Sequence, residues 1–150
     1  MIVVWKKYGD DTLTTWFNPT QAQVEWLTQQ PLVGFNYRRY DNHILYGQMV
    51  GEDNAALFAK SQAIVNNEGG FSSGAYELSY ADIYEYAAGN HKQSLKKWEI
   101  QLGILHDEAE FPWDEPLDKS NWDRVAGYCG HDVKATEAVF KEIYQDYVAR

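Results

Sequence analysis

The sequence predicts one mixed α/β domain spanning residues 1–150. Three observations point there. Short β-branched and aromatic runs alternate along the chain with runs of helical period. Clusters of Gly, Asn, Asp and Pro separate them. The C-terminal segment carries Val125, Cys129, Val133, Thr136, Phe140, Ile143 and Tyr147 at steps of three and four, which is the stripe of a core-facing helix. A chain of this length buries roughly two thirds of its unfolded surface, enough for a sizeable core.

The elements follow in order. Met1 to Trp5 and Thr12 to Phe17 are β-branched and aromatic, with Gly9-Asp10-Asp11 between them, which predicts a β-hairpin. Asn18-Pro19-Thr20 opens a helix carrying Val24 and Leu27, and Pro31 ends it. Leu32 to Phe35 reads as a short buried strand. A helix follows through Ile44, Leu45 and Met49, stopped at Gly51. Asn54 is placed to cap the next helix, which carries Leu57, Phe58, Ile64 and Val65. Asn66 to Gly74 is loop chemistry, and Glu77 to Ile83 is the next strand candidate. Ser94 caps a helix with Leu95, Trp98 and Leu102 on one face, closed by Gly103. Phe111 to Pro116 contains two prolines and reads as a loop. Ser120 and Asp123 have capping-box spacing ahead of the last helix.

Net charge is −9, which disfavours a free-standing non-specific DNA binder, since such proteins present basic stripes. It leaves open an enzyme that holds metal ions with carboxylates and takes its nucleic-acid affinity from a neighbouring domain. Six Trp and eleven Tyr supply large apolar groups for the core, for interfaces or for stacking. The single Cys129 permits no internal disulfide and agrees with a reducing, cytoplasmic compartment. No apolar run reaches about 18 residues, so no membrane span is expected, and the N-terminal residues lack the order of a signal peptide.

Two short segments carry the chemistry. Phe35-Asn36-Tyr37-Arg38-Arg39-Tyr40-Asp41 places Asn36 at the carboxyl end of a strand, where α/β sheets hold ligands, with Asp41 just after. The plain alternative is that Asn36 caps a turn and Asp41 complements a helix N-terminus. About ninety residues on, Tyr128-Cys129-Gly130-His131-Asp132 sets a phenol and a carboxylate four apart on one helical face. Such a carboxylate suits a hard cation, and such a phenol suits orienting a water. His43, His91, His106 and His131 show no paired spacing with Cys129 for zinc and read as scattered surface or loop histidines. Asp107 to Glu110 reads as a solvated acidic run, Asp82 as a carboxylate at a strand end able to support a site, and Arg38, Arg39, Lys96 and Lys97 as surface charges able to meet phosphates.

In order, these segments resemble the second and third sequence blocks of the proofreading 3′→5′ exonucleases of bacterial and phage DNA polymerases that carry a Tyr in the last block. Asp132-Val133-x-Ala135-Thr136 through Phe140 extends the match, as do Ser94-Leu95-Lys96…Leu102-Gly103 and Phe111-Pro112-Trp113-Asp114. The resemblance implies a ribonuclease H-like mixed sheet flanked by helices. It implies a site in which Asp41 and Asp132 hold Mg²⁺ or Mn²⁺, Tyr128 orients the attacking water, and Asn36, Phe35 and Tyr40 meet the 3′ end of single-stranded DNA. It also implies a two-metal mechanism. The family's first block, an Asp-x-Glu on the central strand, has no counterpart in the chain. The expectation is therefore a domain whose first strand and two of four carboxylates are missing, as a piece of a longer DNA polymerase or as a relative that no longer cuts. An exposed sheet edge further predicts sheet rearrangement or pairing with a second copy. The competing reading is a non-catalytic binding or interaction module on the same fold.

Overall fold

The computed structural model describes residues 1–86, 92–105 and 111–149. The chain is mixed α/β and segregates into two compact units. One comprises Met1 and Asn18–Asp82, and the other Ile2–Phe17 with Ile83–Arg150.

The first unit begins with α1 (Gln21–Thr28), which starts at a complete capping box: the Thr20 hydroxyl accepts from Gln23 N–H and the Gln23 side chain accepts from Thr20 N–H. Val24 and Leu27 of α1 are buried. Pro31 follows, and β3 (Leu32–Gly34) leads into a 3₁₀ turn over Tyr37–Arg39 and then α2 (Asp41–Met49). The next helix, α3 (Asn54–Val65), is capped by Asp53, whose carboxylate accepts from Ala56 N–H; Asn54 is its first residue and not its cap. Asn54 instead donates to the Asn18 side chain and accepts from the Met1 ammonium. Leu45 and Leu57 join Val24 and Leu27 in the core, where α2 packs on both α1 and α3.

The strand expected over Glu77 to Ile83 shrinks to β4 (Tyr80–Asp82), because Ser73–Glu77 forms a 3₁₀ turn and Ile83 opens a short helix, α4 (Ile83–Tyr86). β4 pairs parallel with β3, in the register Leu32↔Tyr80, Val33↔Ala81, Gly34↔Asp82. A parallel pair needs a long crossover, and α2 and α3 supply it.

In the second unit, β1 (Ile2–Trp5) and β2 (Thr14–Phe17) form the expected antiparallel hairpin, with Ile2 opposite Phe17 and Trp5 opposite Thr14. Trp5 and Trp16 meet edge to face at 5.5 Å. The helix α5 (Leu95–Leu102) is capped by the Ser94 hydroxyl and closed by Gly103 in the left-handed conformation, φ 71°. The long helix α6 (Trp122–Val148) packs on β1, on α4 and on α5. Its Val125, Ala135, Val139 and Phe140 are buried, together with Ile83. The capping box expected at Ser120 is not what begins it: Lys119–Asn121 is a 3₁₀ turn in which the Asp118 carboxylate accepts from Ser120 N–H, and Asp123 lies in the first turn of α6. Tyr8 meets Phe140 edge to face at 5.4 Å, and Phe17 stacks on Trp122 at 5.7 Å. Lys6 Nζ donates to Glu137 at 2.6 Å, tying the hairpin to the helix.

Among the described residues, the strands form two separate two-stranded sheets, and no helix is long and apolar enough to cross a membrane.

Candidate functional site

The segment from Phe35 to Asp41 is shaped by its two flanking elements. At Gly34 a Cβ would come within 2.7 Å of the Tyr37 Cβ, so only glycine lets the chain fold back directly after β3. Asn36 takes the left-handed conformation, φ 54°, which Asn tolerates better than most residues, and its side chain makes no capping hydrogen bond. The reading of Asn36 as a cap is thereby replaced by a conformational one: it turns the chain into the 3₁₀ segment. The Asp82 carboxylate, nearly fully buried at the end of β4, accepts from Arg38 N–H at 3.0 Å. A β4 side chain therefore holds the loop that follows β3.

Phe35 is half-buried in this loop. The Tyr40 hydroxyl shares a hydrogen bond with Ser61 Oγ at 2.7 Å, which holds its ring against α3. Asp41 is exposed at the first position of α2, where its charge complements the helix N-terminus. Burial, the Asp41 charge and the Tyr80 phenol together push the Tyr37 phenol far above its ordinary value, so it stays protonated. Arg38 lies over the Tyr76 ring at 5.3 Å.

His43, in the first turn of α2, is completely buried and not a surface histidine. Its Nδ1 accepts from Ser72 N–H at 3.0 Å, so the neutral ring carries its proton on Nε2. Phe71 and Tyr76 meet it edge to face, each at 5.0 Å. Burial holds its pKa below the ordinary histidine value; the nearby Arg38 main chain opposes this and the Lys60 charge adds to it.

On α6, Tyr128 and Asp132 stand one turn apart, as the spacing requires. Val125, Asp132 and Val139 are spaced by seven and therefore share one face. Both valines are buried, and so is Ala135, yet Asp132 between them is exposed. Tyr128 is half-buried beside it, with the Phe111 ring edge to face at 6.5 Å between ring centres. This pair can accept and donate hydrogen bonds to a water or a phosphate oxygen and can offer a cation one carboxylate.

Asp41 with Asn36 and Tyr40 belongs to the first unit, and Asp132 with Tyr128 to the second. Among the described residues no three His, Cys, Asp or Glu side chains converge as a metal-binding group. Two carboxylates by themselves do not fit a pair of Mg²⁺ ions, which demand near-octahedral oxygen shells.

One pair had no expectation attached to it. Glu99 of α5 is completely buried, and its Oε1 lies 2.8 Å from His131 Nε2 on α6. His131 is thus a partly buried, partnered side chain and not a scattered surface group. The signal was present: Glu99 falls on the same helical face as Leu95, Trp98 and Leu102, and a charge in an apolar stripe needs a partner. His91, His106, the Asp107 to Glu110 run and the Tyr147 side chain lie outside the described residues. No family model, no curated protein and no solved structure matches the chain.

Proposed function

We propose that this chain is a proofreading-type 3′→5′ exonuclease domain with a ribonuclease H-like sheet, carrying half of the carboxylates that a Mg²⁺- or Mn²⁺-dependent site requires. The observation that carries the reading is Asp132: an exposed carboxylate in the middle of a buried helix face, one turn from a half-buried tyrosine, within the sequence block that the resemblance singles out. The hold of Asp82 on the Asn36 to Asp41 loop supports it, since it fixes the second block at the carboxyl ends of two parallel strands. The net charge of −9 fits a domain that receives single-stranded DNA from the remainder of a DNA polymerase rather than capturing it alone.

In this reading Asp41 and Asp132 are metal-side carboxylates, Tyr128 holds the water, and Asn36, Phe35 and Tyr40 lie near the 3′ nucleotide. The chain alone is expected to release no nucleotides from labelled single-stranded DNA in Mn²⁺. Fusing a strand that bears Asp-x-Glu ahead of Met1 is expected to create cleavage, which Asp132→Asn then removes and Tyr128→Phe lowers by about a hundredfold. A folded fusion that stays inactive, or whose activity survives Asp132→Asn, would favour the non-catalytic binding module instead.

A further inference from the structure

A depression of about 550 Å³, more open to solvent than enclosed, lies within the second unit between β2 and one side of α6. That is the size of an ordinary small-molecule site. Its helix wall is bare, because two of its positions are glycine. Gly130 has a packing reason: a Cβ there would come within 2.9 Å of Leu13 Cδ1. Gly127 is exposed, and a Cβ there would meet nothing within 4 Å among the described residues. Glycine inside a helix is less stable than alanine. The fold carries that cost at an exposed position on the open wall of this depression.

The polar groups around this room are ordered by the helix. His131 lines the cavity, and the buried Glu99 carboxylate behind it fixes the ring through Nε2. A carboxylate taken out of water to hold an imidazole in place is an arrangement that orients functional histidines. Lys134, one turn further on, and the Thr15 hydroxyl add a cation and a donor. Asp123 lies at the other end, eleven residues and about 16 Å along the helix from Lys134. The Phe17 ring, stacked on Trp122, forms part of the wall.

We propose that this cavity binds a phosphorylated small molecule of nucleotide size. Its phosphate meets Lys134, His131 and Thr15. Its body lies over the bare helix at Gly127, and its hydroxyl or amino donors reach Asp123. The cavity is distinct from the exonuclease-like site. At about 100° per residue, Tyr128 and Asp132 lie roughly 100° and 140° around the helix from Gly127. The proposal therefore stands whether or not the chain, or its fusion, cuts DNA.

Calorimetric titration of the full chain with adenosine 5′-monophosphate, adenosine and inorganic phosphate tests it. The monophosphate is expected to bind, and the two fragments to bind at least about tenfold more weakly. Gly127→Leu is expected to abolish binding without lowering the melting temperature, since the new side chain enters open space. Gly127→Ala is expected to raise the melting temperature by roughly 3 °C. Lys134→Gln is expected to weaken the monophosphate about tenfold and leave adenosine unchanged. Three outcomes overturn the proposal: no heat from the monophosphate up to about 10 mM, equal binding by Gly127→Leu, or a lower melting temperature in that variant, which would mean the space is already filled.

Discussion

The Asp82 carboxylate accepts a hydrogen bond from the Arg38 main-chain N–H at 3.0 Å, across 44 residues of sequence. Through it the end of β4 dictates the path of the chain after β3. Asp82→Ala leaves the amide of Arg38 without its partner and is expected to cost about 2 kcal/mol in urea unfolding. Asp82→Asn keeps an acceptor oxygen and is expected to lose less than half of that. Hydrogen exchange at the Arg38 amide should speed up in the alanine variant; an unchanged rate would mean the contact does not hold the loop.

The hairpin is fastened to α6 by Glu137. Burial alone would raise its pKa, but the hydrogen bonds from Lys6 Nζ and Gly9 N–H, with the charges of Lys6 and Lys141, hold it below the ordinary 4.5. The folded chain therefore prefers the ionised form more than the unfolded chain does. The stability from this group is complete above pH 4.5 and is lost as pH falls through the lower folded value. Glu137→Gln should flatten that acid limb and lower stability near neutrality by about 1 kcal/mol. Thermal melts of both proteins across the acid range give the comparison.

His43 behaves as a buried base. Its neutral Nδ1 accepts from Ser72 N–H, so a second proton would set two donors against each other. Burial already holds its pKa below the ordinary 6.5. Stability from the neutral ring is present above pH 6.5, falls as pH drops below it, and levels off beneath the lower folded value. His43→Gln is expected to melt lower at about pH 8 and to lose this part of the pH dependence down to about pH 5. A wild-type curve and a variant curve that run parallel over that range would contradict the assignment.

Each of the two described sheets has only two strands, so every strand has an unpaired edge among the described residues. Two-stranded sheets are marginal alone, and free edges recruit further strands. Pairing with a second copy is our expectation, giving a solution mass twice the 17.3 kDa of the chain by light scattering. A single-chain mass at high concentration would dismiss it.

Local signals were read directly from residue order. The hairpin, the Ser94 cap and the Gly103 stop each depend on residues a few positions apart and appear where the pattern puts them, whereas of the stripe expected along the last helix only Val125 and Phe140 are buried among the described side chains, beside Ala135 and Val139, which the pattern did not include. The Asn54 cap moved by one residue because Asp53 competes for the same N–H groups with a charged acceptor. The strand near Asp82 came out shorter because only Tyr80 to Asp82 find a partner in β3.

By itself, the sequence determined the order and kind of the elements, the face shared by Tyr128 and Asp132, and the candidate carboxylates. Only the tertiary structure decided which polar groups are buried and with whom. Glu99 meets His131, Asp82 meets Arg38 and Glu137 meets Lys6 across 32, 44 and 131 residues. It also decided that Asp132 is exposed between two buried valines, and that Gly127 faces solvent. The division has a physical cause. Helical period, turns and caps are set by backbone bonds between near neighbours, whereas the free energy of a buried charge or an unfilled cavity is set by atoms that chain order does not place beside it.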